Sequence, residues 1–445
     1  MSCVSRRFLR RRVKKESRMM RVGESFCPGI LHAVQAKDGL LTRIRVPGGM
    51  ITPSQLTAVA ELSASFADGN VDITSRSNIQ LRAIKTKDLS SLVHGLDLAG
   101  FLPSPLHDRI RNIVASPFAG LGFGEILDTQ PFVRELDRRL IADHVIAGLP
   151  PKFSFAIDGG GRWFGRDCDD LALRAVNVDN TPLFHLAIGG ILSGFGVRVD
   201  EAVDCILEAA KMCVEISKEL EMPARGRKIA SAPRAMNRLL DALSDFLVAC
   251  PFPDGLGDVD DMPVGIYPCE RVGFVDLVPS VPLGRLTAEQ IRCMASIAKR
   301  WDGDIRLAPW RGVVLGSIPE SSVSQITAKL EAVGLSSDGK DGYRGVAACA
   351  GIVGCDASLA DVRHHASLLA LRLAGRYTQP GWTVNISGCE KQCAMRSGAT
   401  AELIASSSGY SLRINGQFIA SNCSLESAID NVAACQAEIP IEVFS

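Results

Sequence analysis

Four of the chain's 14 cysteines gather near the C-terminus in two pairs, Cys349 and Cys355 in ACAGIVGC and Cys389 and Cys393 in SGCEKQC, spaced C-x5-C and C-x3-C. Thiolates are soft donors that suit iron-sulfur centres, and four of them converging from two loops make the ligand set of one [4Fe-4S] cluster. Zinc is the alternative occupant, but zinc pairs usually leave about two to four residues between cysteines, and C-x5-C is wider. The chemistry indicated is redox chemistry.

A second group of residues supplies positive charge. Arg76 and Arg82 stand in TSRSNIQLR, Arg109 and Arg111 in DRIRN, and Lys152 in LPPKFSF, with Arg306 and Arg311 in a later stretch of similar pattern. Guanidinium forks at strand ends suit an anionic ligand. Taken singly, each of these cations fits a solvated surface charge, so their value is collective. His107, His185 and the pair His364–His365 lack metal-binding spacing, which leaves them core or surface roles. GLGFGE is too short and wrongly spaced for a dinucleotide fingerprint, so electrons must come from an external reductase or carrier.

The elements that position these groups follow from local signals. Asn385 or Ser387 is expected to cap a helix that carries Cys389 and Cys393 one turn apart, and Asp356 or Ser358 to start the helix SLADVRHHASLLALRLA. Both cysteine pairs would then lie near helix N-termini, whose positive ends favour thiolate and cluster charge. Gly388 lets the backbone approach the cluster. Residues 43–84 read as strand, turn, helix from about Pro53, and strand; residues 280–318 repeat that order, with Ile51–Thr52 matching Leu286–Thr287 and Asp72–Ile73 matching Asp304–Ile305. Such small units bury one sheet face each, so two copies are expected to pair around a pseudo-two-fold axis. The division expected is a basic tail at 1–23, a half-domain at 24–95, a larger α+β domain at 96–250, a linker and second half-domain at 251–334, and the cysteine-bearing domain at 335–445. PFPDGLGDVDDMP is the linker.

Composition bounds the class. With 445 residues, 47% hydrophobic and with Lys+Arg balanced by Asp+Glu at 49 each, the chain is expected to be a globular cytoplasmic protein that binds neither nucleic acid nor membrane. The ten remaining cysteines lack secretory spacing and read as free thiols in a reducing compartment. MSCVSRRFLRRRVKKESRMM lacks an apolar stretch, so it is read as a flexible tail, or as sequence upstream of a start at Met19 or Met20.

With the C-x5-C and SGC-x3-C pairs, the duplicated half-domain, TSRSNIQLR, RNIVASPFAG and LPPKF, the chain resembles the sirohaem-dependent sulfite and nitrite reductase superfamily from about Cys27 onward. The resemblance implies an α+β, internally duplicated fold: two ferredoxin-like half-domains around a pseudo-two-fold and two larger α+β domains, the cluster in the second. It implies further that Cys393 is the ligand bridging cluster and haem iron, and that Arg76, Arg111 and Lys152, with Arg82 and Arg109, contribute to the anion or tetrapyrrole site. Where the reductases resemble LPRKFK, this chain has Ser154 at the second lysine position. CPGILHAV, RVPGGMITPSQL and LPPKFSFAID resemble most the branch of that superfamily that serves aerobic cobalamin biosynthesis. The resemblance there implies an oxygen-dependent monooxygenase that hydroxylates precorrin-3A at C20, closes a γ-lactone, and uses a mononuclear non-haem iron beside the cluster, with an NADH-linked reductase or ferredoxin-like carrier as donor. The alternatives are a sulfite or nitrite reductase with bound sirohaem and a non-catalytic iron-sulfur sensor.

Overall fold

Two threonines start the two matching helices in the same way. Thr52 accepts from Gln55 N at 3.2 Å while Gln55 Oε1 receives Thr52 N, which starts α1 (Pro53–Phe66); Thr287 and Gln290 repeat the reciprocal pair. Apolar spacing then turns Leu56 and Val59 of the first helix, and Ile291 and Met294 of the second, into one core shared by both copies. The computed structural model describes residues 27–122, 124–161, 169–251, 263–376, 381–395 and 398–437. The basic tail, most of the expected linker, Cys3 and Cys168 lie outside them.

The first sheet comprises β1 (Val34–Ala36), β2 (Gly39–Ile44), β3 (Asn70–Ile73) and β4 (Ile79–Ile84), in the order β1-β2-β4-β3, with α1 and α2 (Leu89–Leu98) on one face. The second comprises β5 (Ile113–Ala115), β6 (Phe155–Asp158), β7 (Leu171–Val178), β8 (Thr181–Ile188), β9 (Ile191–Arg198) and β10 (Leu247–Ala249), covered by α3 (Gln130–Leu140) and α4 (Ala202–Glu219). Cys205 and Cys213 of α4 are fully buried, and burial pushes the Cys205 thiol up to about 12.

The second copy repeats this plan. Strands β11 (Gly265–Pro268), β12 (Phe274–Val278), β14 (Asp304–Leu307) and β15 (Val313–Pro319) are ordered β11-β12-β15-β14, while β13 (Arg285–Thr287) crosses over to pair with β3. Met50 bridges Arg306 in return. Helices α5 (Ala288–Trp301) and α6 (Val323–Ala332) cover this sheet. The fourth sheet, β16 (Val346–Ala348), β17 (Val384–Ser387), β18 (Ala401–Ser406), β19 (Gly409–Ile414) and β20 (Gln417–Cys423), packs under α7 (Val362–Leu373) and α8 (Leu425–Ala437). In both of these sheets two parallel pairings are followed by antiparallel ones, three in the second sheet and two in the fourth. The duplication therefore runs through both halves of the chain.

Backbone strain is duplicated too. Gly48 and Gly49 (φ 62° and 68°) correspond to Leu283 and Gly284 (55° and 70°), Ser77 (53°) to Arg311 (65°), and Ala83 to Ser317 (both 56°). Non-glycine residues rarely take such angles, so their recurrence at matched positions marks a common ancestral backbone. Among the described residues no helix is long and apolar enough to cross a membrane.

Candidate active site

Strand ends carry the cysteines. Cys349 follows β16 and Cys389 follows β17, its parallel neighbour, which brings the two motifs to the carboxyl ends of these strands in the fourth sheet. Cys349 Sγ accepts from Gly388 N at 3.4 Å. Gly388 is required here, because a Cβ would stand 1.8 Å from Ser358 Oγ. Cys355 leaves the short helix Gly351–Gly354 in extended conformation, and Cys393 is exposed while the other three are half-buried. None of the four is in a disulfide.

The expected helix on Cys389 and Cys393 is absent. Gln392 takes φ 45° and returns its N–H to Cys389 O at 3.3 Å, so the segment is a turn. Asn385 lies inside β17, fully buried, and its Nδ2 reaches Met395 O at 2.6 Å, anchoring the cysteine loop from below instead of capping a helix. Asp361, not Asp356 or Ser358, caps α7 by accepting His364 N. A capping side chain must stand directly before the first helical residue, and Asp361 precedes Val362.

The cations divide by partner. Arg82 pairs with Asp38 (2.9 and 3.1 Å) and donates to Gly354 O at 2.6 Å, so it ties the first sheet to the cysteine loop. Arg111 forks onto Asp137 at 2.7 and 2.6 Å. An internal carboxylate thus already faces each of these guanidinium groups. Arg109 is half-buried and lends its carbonyl to Arg45 and Asn112; Lys152 is exposed. Arg76 keeps a buried Nε without a partner.

Two cations escaped the sequence reading. Ile44 of β2 faces the core, so Arg43 and Arg45, on either side of it, share the opposite face. Arg45 is 2% exposed and gives Nη2 to Cys27 Sγ (3.4 Å), Pro28 O and Arg109 O (both 3.2 Å), while Nε and Nη1 are buried without partners. Burial pulls its pKa down to about 10, which still leaves it charged at neutral pH. Arg43 keeps a buried, unpartnered Nε and gives Nη2 to Gln80 at 3.0 Å; burial lowers it, and Arg76 and Arg311 are close enough to add to that. Arg311 in turn donates to Ala394 O beside Cys393. The alternation R-x-R before PGG was the available signal.

The motifs converge through Asn112. Its Nδ2 bonds Arg109 O, Pro151 O and Phe153 O at 3.0 to 3.2 Å, and its Oδ1 receives Asn78, whose own Oδ1 receives Val46 N. TSRSN, RIRN, LPPKF and CPG thus meet around Arg45. The buried guanidinium donors left unpaired there carry a large desolvation cost, which a bound anion offsets. Ser154 is fully buried, with its N–H on Asp170 and its hydroxyl unpartnered, so the second lysine position of the reductase pattern faces the interior.

The first copy keeps the same backbone frame without thiols. Ser116, Gly122, Ile126 and Asp128 correspond to Cys349, Cys355, Leu359 and Asp361, and Gly159 N donates to Ser116 Oγ at 3.1 Å as Gly388 N does to Cys349 Sγ. Ile126 N and Leu359 N likewise reach Gly159 O and Gly388 O, at 2.7 and 2.8 Å. Glu125 fills the place of Ser358; burial, then Asp158, pushes its carboxyl up to about 8, so it is neutral at pH 7 and needs no counter-cation. Among the described residues no three His, Cys, Asp or Glu side chains draw close enough for a single ion. Neither zinc nor the mononuclear iron implied by the resemblance finds a ligand set there. A four-iron cluster takes one thiolate per iron, the number that the two cysteine motifs supply.

A model of the nitrite/sulfite reductase ferredoxin-like half domain matches residues 32–99 and 273–333, and a model of the nitrite and sulphite reductase 4Fe-4S domain matches residues 107–220. The ferredoxin–nitrite reductase of Synechococcus elongatus is 25% identical over 404 residues, 85% of this chain and 78% of that protein. The precorrin-3B synthase of Sinorhizobium sp is 28% identical over 398 residues (88% and 82%), and sulfite reductase [ferredoxin] 2 of Mycolicibacterium paratuberculosis 28% over 380 (80% and 67%). The solved structure of Mycobacterium tuberculosis NirA superposes with a TM-score of 0.75 at 23% identity, covering 88% of this chain and 79% of that one. These likenesses support the α+β fold and a [4Fe-4S] cluster.

Proposed function

Since the chain belongs to the nitrite and sulfite reductase superfamily, we propose that it is an oxygen-dependent oxidoreductase of the precorrin-3B synthase type, hydroxylating precorrin-3A at C20 with closure of a γ-lactone. Cys349, Cys355, Cys389 and Cys393 are the proposed ligands of its [4Fe-4S] cluster, which when bound passes electrons singly from an external carrier. Arg43, Arg45 and Arg76 hold the acetates and propionates of the macrocycle with charge-assisted hydrogen bonds. Lys152 closes the rim of the same cradle. Inserting one oxygen atom and sending the other to water consumes two electrons and two protons, which the carrier and solvent supply.

The observation that carries this reading is the burial of Ser154. A reductase of sulfite needs several proton donors at the substrate, and the position that would supply the second lysine is a fully buried serine. The similarity to the precorrin-3B synthase of Sinorhizobium sp, over 88% of this chain, supports the same reading. The second reading, a sirohaem-dependent sulfite or nitrite reductase, is favoured by comparable identities to those enzymes.

Protein purified without air, then given precorrin-3A, a reductant and isotopic dioxygen, is expected to yield a product one labelled oxygen heavier, and no sulfide from sulfite. Anaerobic, sirohaem-dependent reduction of sulfite or nitrite, with precorrin-3A unchanged in air, selects the second reading. Arg43→Met and Arg76→Met are each expected to weaken precorrin-3A binding by about 1.5 to 3 kcal/mol without altering the cluster spectrum. Unchanged affinity in both would return these arginines to a structural role.

A further inference from the structure

The duplicated scaffold provides an internal control for the residues around the cysteines. Four residues beyond the matched aspartates Asp128 and Asp361 stand Phe132 and His365. Across the sheets, Ala175 pairs with Phe184 in the first copy and Ala405 with Tyr410 in the second. The two ring pairs adopt the same edge-on geometry: Phe132 and Phe184 at 5.1 Å and 79°, His365 and Tyr410 at 5.8 Å and 71°. Only in the copy with the four cysteines is the apolar pair replaced by a titratable one.

The replacement is internally consistent. His365 Nδ1 lies 2.6 Å from Tyr410 Oη, and Tyr410 is 3% exposed, so the buried hydroxyl is satisfied by the imidazole. Exchanging two phenylalanines for this pair gains one hydrogen bond at the cost of burying polar atoms, a poor trade for packing alone. Burial and then the Cys349 thiol raise the Tyr410 phenol well above its ordinary range, so it stays protonated. Cys349 packs against the apolar cluster that includes Tyr410. Burial and then His364 lower His365, against an upward pull from Asp361, so it is neutral at pH 7. Those residues, with Tyr410 on β19, are the charged and titratable groups facing it.

We propose that His365, seated on Tyr410, takes a proton from solvent when the cluster gains an electron, so that cluster reduction is coupled to proton uptake. The electron comes from the external one-electron carrier and the proton from water; no bond to substrate changes. The imidazolium then donates Nδ1–H to the phenol oxygen, so the short contact survives the change of charge. This inference rests on the proposed cluster ligands.

The test is a spectroelectrochemical titration of the cluster-loaded protein between about pH 5.5 and 8.5. The native midpoint potential is expected to fall with rising pH over part of that range, approaching about 59 mV per unit for one proton per electron. The double variant His365→Phe with Tyr410→Phe, which recreates the first-copy pair, is expected to hold its four irons with a flat profile. His365→Gln, which keeps a hydrogen-bonding side chain but cannot titrate, should also be flat and decides the matter if the double variant fails to load. A flat native profile, or a native slope persisting in His365→Gln, overturns the proposal. Native protein without iron and sulfide would instead overturn the cluster assignment.

Discussion

Cys389→Ser protein is expected to purify without its four irons, colourless and inactive, while Cys435→Ser keeps both colour and turnover. Cys389 leaves the end of β17 directly after Gly388, whose N–H is already committed to Cys349 Sγ. The strand is buried along its whole length between β16 and β18, which fixes where Cys389 emerges. A serine hydroxyl is a harder and far less acidic donor, so one iron loses its protein ligand and the cluster loses stability. Cluster binding also holds the two cysteine loops together, so the variant should unfold at lower denaturant concentration than the native protein. Iron and sulfide analysis with the visible spectrum checks this. Four irons and full activity in Cys389→Ser would remove Cys389 from the ligand set.

Gly49→Ala is expected to cost about 3 to 4 kcal/mol, combining the left-handed penalty with overpacking. Gly49 has φ 68°, and a Cβ there would stand 2.0 Å from Leu307 O, a backbone atom of the second copy. The contact lies where the copies cross, beside the Met50–Arg306 bridge, and neither strand can retreat without breaking that crossing. Gly69→Ala is the control, since Gly69 has φ 76° but nothing within 4 Å of the added carbon. It should lose only about 1 to 2 kcal/mol. Urea unfolding of the two variants separates steric from conformational cost, and equal midpoints would show that the inter-copy contact is loose.

The cysteine motifs, the helix from Pro53 and the matched pairs Thr52/Thr287 and Asp72/Asp304 were legible in the chain because each depends on local spacing: a capping box spans one turn, and a strand declares itself by alternation. The caps near the cysteines were not legible. Asn385, Ser387, Asp356 and Ser358 all have capping chemistry, and the choice of Asp361 depended on where the sheet ended and which backbone was already paired. The pairing of Arg82 with Asp38 and of Arg111 with Asp137 was not legible either, because those carboxylates are distant in sequence and meet the arginines only after folding.

By itself the sequence determined the redox chemistry and the duplicated architecture, since residue type sets donor softness and hydrophobic period sets the elements. The tertiary structure decided which arginines keep buried donor atoms without partners, Arg43, Arg45 and Arg76. It also set His365 against Tyr410 where the other half has Phe132 against Phe184. Those outcomes turn on burial and on partners brought from remote segments, and desolvation acts only on groups that folding has removed from water.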